Sequence, residues 1–134
     1  MAATATDNVE LVRGIYESFN QGDLDDVLAR MADDVTWIEP EGDPLFGGTY
    51  RTPDDVRTHV FIPAVEEYDD FTVTPERFID GGDTVVVEGI FTGTSKAGTP
   101  FELPFAHVCD VRDGKITRFA NYEDTALSQQ TREE

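Results

Sequence analysis

Few residues in this chain have side chains suited to chemistry: two histidines, His59 and His107, one cysteine, Cys109, and a surplus of carboxylates. Glu39 alternates with Val35 and Trp37, so a strand over Val35 to Glu39 would put its carboxyl on the same face as an indole. Burial there would raise its pKa and poise it to carry a proton; the alternative is a hydrated strand-end carboxylate or one paired with an arginine. His107 sits in the alternating run Phe101, Leu103, Phe105, His107, Cys109, Val111, a single imidazole on an otherwise apolar face. It is either functional or a core histidine bonded to a carbonyl or hydroxyl, and lone histidines of this kind are more often structural. Asn121 alternates with Phe119 and Glu123, where its amide could donate to a ligand carbonyl or merely satisfy backbone. Of two readings for Asp124, an acid–base group or a cap for the turn after it, the cap is favoured. Cys109 has no activating cation beside it in sequence and is a weak nucleophile. The histidines and the cysteine show none of the clustered spacings of a zinc or iron site, and His59, among Asp54, Asp55 and Arg57, reads as a solvated surface residue. Gly47-Gly48 and Gly81-Gly82 lack the strand-to-helix context of a phosphate loop, so no cofactor is expected.

The elements that must position these groups follow from the periodicity. Asp7, with Glu10 three residues on, predicts a helix cap, and Val9, Val12, Tyr16 and Phe19 recur on one helical face with Ile15 beside them, until Gly22 stops the helix. Asp23 predicts the cap of a shorter helix carrying Leu24, Val27, Leu28 and Met31; Asp33-Asp34 then turns the chain into the first strand, closed by Pro40. Residues 41–51 read as a loop. Thr52-Pro53-Asp54-Asp55 starts a third helix, whose Val56, Val60, Phe61, Ala64 and Val65 are expected to face inward and which Pro63 must kink or divide. From Phe71 the period becomes strand-like, broken at Asp80-Gly81-Gly82-Asp83, Lys96-Ala97-Gly98 and Asp113-Gly114 into three hairpins joining four long strands. Three helices followed by an antiparallel meander is α+β organisation, with helices packed in a curved sheet that leaves one open mouth, a natural place for a small apolar ligand.

The 134 residues suit a single domain, with residues of about 7–126 ordered and short tails at Met1 to Thr6 and Ser128 to Glu134. The 28 acidic residues against 10 basic ones give a net charge of −18, which makes nucleic acid and anionic membranes poor partners. The acids are spread along the chain and only Lys96 and Lys115 are lysines, a pattern of salt-accumulating (halophilic) organisms; so many carboxylates repel one another in dilute buffer. The start, Met-Ala-Ala-Thr-Ala-Thr, has neither a basic nor an apolar region, no run approaches membrane-spanning length, and one cysteine cannot form an internal disulfide, so a cytoplasmic location is expected.

Several strings, in their order, resemble the SnoaL-like and ketosteroid-isomerase-like proteins of the nuclear transport factor 2-like superfamily. They are Phe19-Asn20-Gln21-Gly22-Asp23-Leu24, Ala32-Asp33-Asp34-Val35-Thr36-Trp37, Arg112-Asp113-Gly114-Lys115-Ile116 and Asn121-Tyr122-Glu123-Asp124-Thr125. The resemblance covers nearly the whole chain and implies a cone-shaped α+β barrel that pairs as a homodimer through the outer face of its sheet. It puts Glu39-Pro40 where the isomerases carry their general base. It places Ile15 and Ala106 at the oxyanion-donor positions, which makes steroid isomerisation improbable, Tyr16 being one step, about 100 degrees, round the helix. It also points Ala106 and Val108 inward, whereas hydrophobicity favours Phe105 and His107. The expected site is therefore Glu39 as base with His107 or Asn121 polarising a carbonyl, in a pocket lined by Tyr16, Trp37, Phe61 and Phe119. The ligand expected there is a small apolar carbonyl-type molecule. The alternative is a non-catalytic dimeric interaction domain whose cone is filled by its own aromatics. Epoxide hydrolysis ranks last, since no Asp-Arg-Asp arrangement can be located.

Overall fold

The computed structural model describes residues 5–132. Two helices open it, α1 (Ala5–Asn20) and α2 (Leu24–Ala29). Helix α1 starts two residues before Asp7, which therefore lies in its first turn, where a carboxylate still faces the positive end of the helix dipole, rather than at the cap. Gly22 at φ 78° supplies the left-handed residue after the helix, and the Asp23 carboxyl accepts from Asp26 N to cap α2.

Strand β1 (Met31–Glu39) begins earlier than its pattern suggests, running through Asp33 and Asp34, whose side chains are exposed beside a register shift against the last strand. A short strand β2 (Gly48–Tyr50) forms inside the segment expected to be loop and pairs antiparallel with Trp37, Ile38 and Glu39. The third helix is divided into α3 (Pro53–Val56), one π turn (Arg57–Phe61) and α4 (Ile62–Glu67). Thr52 caps it, and the wide turn, closed by Ile62 N–H on the Arg57 carbonyl, comes immediately before Pro63, which has no N–H of its own to offer. The extra residue rotates the helix beyond it. Val56, Val60, Phe61 and Ala64 are buried, but Val65 is 51% exposed, which corrects its expected inward position.

Four long strands complete the sheet, β3 (Tyr68–Asp80), β4 (Thr84–Ser95), β5 (Pro100–Arg112) and β6 (Lys115–Glu123), joined by the three hairpins. The six strands form one sheet in the order β2-β1-β6-β5-β4-β3, antiparallel throughout except where β1 lies parallel to β6. Irregularities between Asp69 and Thr72 and between Pro75 and Arg77 bend β3 against β4, and bends of this kind curl a sheet. At Gly89, opposite that second bulge, a Cβ would run into the Thr74 carbonyl and come within 2.6 Å of the Phe105 ring, so the curl requires glycine.

The concave face is the apolar one. In β5 the buried residues are Phe101, Leu103, Phe105, His107, Cys109 and Val111, and they pack with Val12, Ile15 and Tyr16 of α1 and with Trp37 and Phe119. Hydrophobic alternation therefore decides the facing of β5, and Ala106 and Val108 lie on the opposite face, not inward.

The chain does not fray from Ser128 as expected: α5 (Thr125–Thr131) comes directly after β6, capped by the Asp124 carboxyl accepting from Leu127 N, with Ser128 and Thr131 buried. Of the expected tails, residues 1–4 and 133–134 lie outside the described residues. No helix among the described residues is long and apolar enough to cross a membrane.

Candidate functional site

The strand ends β1 and β6, side by side, bring Glu39 and Asn121 together across 82 residues of sequence. Trp37, two residues before Glu39 on the same face, donates its indole N–H to Glu39 Oε2 at 2.6 Å, and the Asn121 amide donates to Glu39 Oε1 at 3.1 Å. The same Asn121 nitrogen is 3.1 Å from Glu123 Oε1. Asn121 Oδ1 is buried and makes no hydrogen bond among the described residues. These groups line a cavity of about 90 Å³ whose remaining walls are mainly aromatic, including Phe61, Phe71, Phe91 and Phe119, with Trp37 stacked on Phe119 at 3.8 Å between ring centres.

Beside Asn121 sits its register partner on β5, His107, whose Nδ1 lies 2.8 Å from the Tyr16 hydroxyl. Burial lowers the His107 pKa to about 3, with Asn121 opposing the shift, and burial raises that of Tyr16 well above the ordinary value, with the Cys109 thiol adding to it. At neutral pH both rings are uncharged. We assign the hydroxyl as donor to Nδ1, which leaves the histidine proton on Nε2. Burial likewise pushes the Cys109 thiol far up, so it stays protonated and inert.

The carboxyls behave differently from those on the surface. Burial raises the Glu39 pKa to about 8; the Trp37 and Asn121 donors pull it partly back, and the charges of Glu123 and Asp43 add to the rise. Glu123 rises to about 7, chiefly through burial and then Asp43, while Asn121 and Arg132 oppose. Both are therefore placed to exchange protons near neutrality, the range in which an acid–base group works best.

The structure brings Glu39, His107, Asn121, Tyr16, Trp37, Phe61 and Phe119 to this one cavity. Tyr16 reaches it alongside Ile15, because α1 presents a stripe wide enough to cover Val12, Ile15, Tyr16 and Phe19. The one-residue offset at Tyr16 therefore does not exclude its side chain, and the matched position Ala106 is replaced on the inner face by its neighbour His107. His59 is exposed and stacks on Tyr50. Sequence reasoning passed over Glu123 as a site residue, although its alternation with Asn121 was the available signal. It also missed the buried pair at the end of the cavity near Ser128, where Arg132 Nη2 lies 2.8 Å from Asp43 Oδ1 and Arg132 Nη1 donates to the Tyr68 hydroxyl at 2.9 Å. Among the described residues no group of three or more His, Cys, Asp or Glu side chains is placed to hold a metal.

A curved sheet wrapped on a long helix, with a buried and a half-buried carboxyl set into an aromatic cavity, defines an NTF2-like α+β cone. The chain belongs to the SnoaL-like domain family, which it matches over residues 12–119. It is similar to an NTF2-like protein of unknown function from Burkholderia pseudomallei, at 32% identity over 96% of this chain and 98% of that one, with a TM-score of 0.90. An NTF2-like protein of Burkholderia thailandensis is 34% identical over 93% of this chain and 96% of that one, TM-score 0.87. TerC, co-crystallised with polyporic acid, is 32% identical over 96% of this chain and 99% of that one, TM-score 0.87.

Proposed function

We propose that this protein binds a small, apolar carbonyl compound in the cone and exchanges a proton with it through Glu39. The observation that carries the reading is a carboxyl only 6% exposed, on a cavity wall, whose two hydrogen-bond donors, Trp37 and Asn121, are both neutral. A buried carboxyl without a directly bonded cation costs stability and is retained where its proton is used. In this reading Glu39 takes a proton from carbon next to the carbonyl, His107 Nε2–H or the Asn121 amide polarises the carbonyl oxygen, and Trp37, Phe61, Phe119 and Tyr16 hold the apolar body. Such proton transfer, of isomerase or cyclase type, calls for no cofactor. The co-crystallisation of TerC with polyporic acid makes that compound one of the first ligands to try. Pairing of two copies through the outer sheet face and a cytoplasmic, high-salt setting belong to the same proposal.

A second reading has its own support. A cavity of about 90 Å³ holds several waters but is small beside pockets for drug-sized ligands, so anything beyond a small ring must displace aromatic side chains. That favours a filled, non-catalytic interaction domain. The test is a titration of Trp37 fluorescence in molar KCl with steroids, phenols, polyketide-like aromatics and polyporic acid, comparing wild type with Glu39→Gln. Trp37 is the only tryptophan. A saturable change whose pH dependence disappears in Glu39→Gln supports the pocket enzyme or binder; silence across the panel supports the filled cone.

A further inference from the structure

Glu39 is not the only carboxyl on the cavity wall. Glu123 lies two residues along β6 from Asn121, on the same inner face, and the single Asn121 nitrogen stands 3.1 Å from one oxygen of each. One amide group thus tethers two carboxyls. Because Asn121 spends its nitrogen on both, its Oδ1 is left as a buried acceptor outside hydrogen-bonding geometry, with His107, its register partner on β5, next to it. A buried acceptor of this sort is a place where a ligand hydroxyl gains a hydrogen bond at little desolvation cost to the protein.

We propose that Glu39 and Glu123 work as one proton-sharing pair coupled through Asn121, and that the ligand they serve is an uncharged carbonyl compound that also bears a hydroxyl or enol group. This rests on the reading of the cavity as a binding site for a carbonyl compound and adds a second acid–base group to it. The pair holds one proton near neutrality, since two like charges so close, one buried and one half-buried, resist ionising together, and the carboxyls titrate as a unit. The step balances without any co-reactant. The ionised carboxyl removes a proton from the carbon beside the carbonyl, breaking C–H and forming O–H, while the electron pair moves to the carbonyl oxygen. The protonated carboxyl gives its proton to that oxygen, completing an enol. The pair carries one negative charge before and after, so no net charge is created in the cavity. An anionic ligand would meet this charge as well as that of Asp43, which bears on both carboxyls.

The groups that set the pair's titration come from every element around it. Trp37 of β1 and Asn121 of β6 donate to it; Asp43 in the loop between β1 and β2 and Asp124 after β6 oppose ionisation; Arg132 after α5 favours it at Glu123. His107, next to Asn121 on β5, and Tyr16 of α1 are neutral.

The experiment is a pH titration of the free protein, with glutamate side-chain carboxyls labelled with ¹³C, in molar KCl. Two carboxyls should titrate near pH 7 to 8, apart from the surface set, and in Glu123→Gln the Glu39 midpoint should fall by about one unit as its like-charged neighbour is removed. Should Glu123→Gln fail to fold, Glu123→Asp retains the charge but withdraws it from Asn121, and the Glu39 midpoint should again move down. A Glu39 midpoint that stays put in the folded variant, or a Glu123 that titrates with the surface carboxyls, overturns the pair. Because no ligand is present, failure of the fluorescence titration leaves this result standing, and the two ideas fail separately.

Discussion

Glu39 and Asp43 are four residues apart, both almost fully buried, and chemically opposite. Asp43 ends in a buried ion pair with Arg132 and also accepts the backbone N–H of Leu45, a fully committed carboxylate that pins the loop after β1 to the C-terminal helix. Glu39 is held only by neutral donors, and burial raises its pKa to about 8. The contrast teaches that burial alone does not decide how a carboxyl titrates; what matters is whether the fold also buries a cation against it. Where it does, the group is a rivet, and where it does not, the group is an acid near neutrality.

The sharpest control on this contrast is to screen every carboxylate that is not buried. With a net charge of −18, the melting temperature should climb by about 10 °C or more from dilute buffer to molar KCl, where the Debye length shrinks to about 3 Å. A melt of equal temperature in both would show that surface repulsion is not limiting and that the interior carboxyls set the stability. Breaking the rivet comes next. Arg132→Met should cost about 3–5 kcal/mol in urea unfolding, because it strands Asp43, and adding Asp43→Asn should recover most of the loss. If Arg132→Met costs nothing, Asp43 is no more committed than Glu39 and the comparison collapses.

Glu39→Gln should act with the opposite sign. The Glu39 pKa of about 8 stands above its ordinary value of 4.5, so its stability contribution is complete below pH 4.5 and is lost as pH rises through 8. The variant should therefore be more stable than wild type at pH 8, by roughly 2–4 kcal/mol, and nearly equal to it at pH 4.5, as read by urea melts at the two values. The wild-type His107, depressed to about 3, works the other way: its contribution is complete above pH 6.5 and fades as pH falls towards 3. The smallest expected change is in Trp37→Phe, which removes the indole donor from Glu39 Oε2 and should raise the Glu39 midpoint by less than about one unit in the carboxyl titration. A downward shift there would mean the indole is not stabilising the charged form.

Much of this was readable from the residues because period-2 patterns are strong where one face is buried. The alternation from Phe101 to Val111 fixes the inner face of β5, and Trp37 with Glu39 fixes that of β1. The positions that escaped depend on partners far away in sequence. Arg132 and Asp43 lie 89 residues apart, and nothing in Ser-Gln-Gln-Thr-Arg announces a helix whose buried side chains are the small polar Ser128 and Thr131. Val65 was misplaced because a π turn inserts a residue into the period, and Glu123 was passed over because an acid at a strand end ordinarily faces water.

The parallel pairing of β1 with β6 governs how the molecule comes into being. Every other neighbour in the sheet is joined by a hairpin or short loop, but β1 must wait for residues 115–123 before its inner edge is covered. During synthesis the helices and the β3-β4-β5 meander can assemble while β1 still lacks its β6 partner, a contact of long loop closure that forms late. Because Glu39 and Asn121 meet only across that closing seam, a chain that ends before the last hairpin lacks the site together with the core residues Ile116, Phe119 and Ala120.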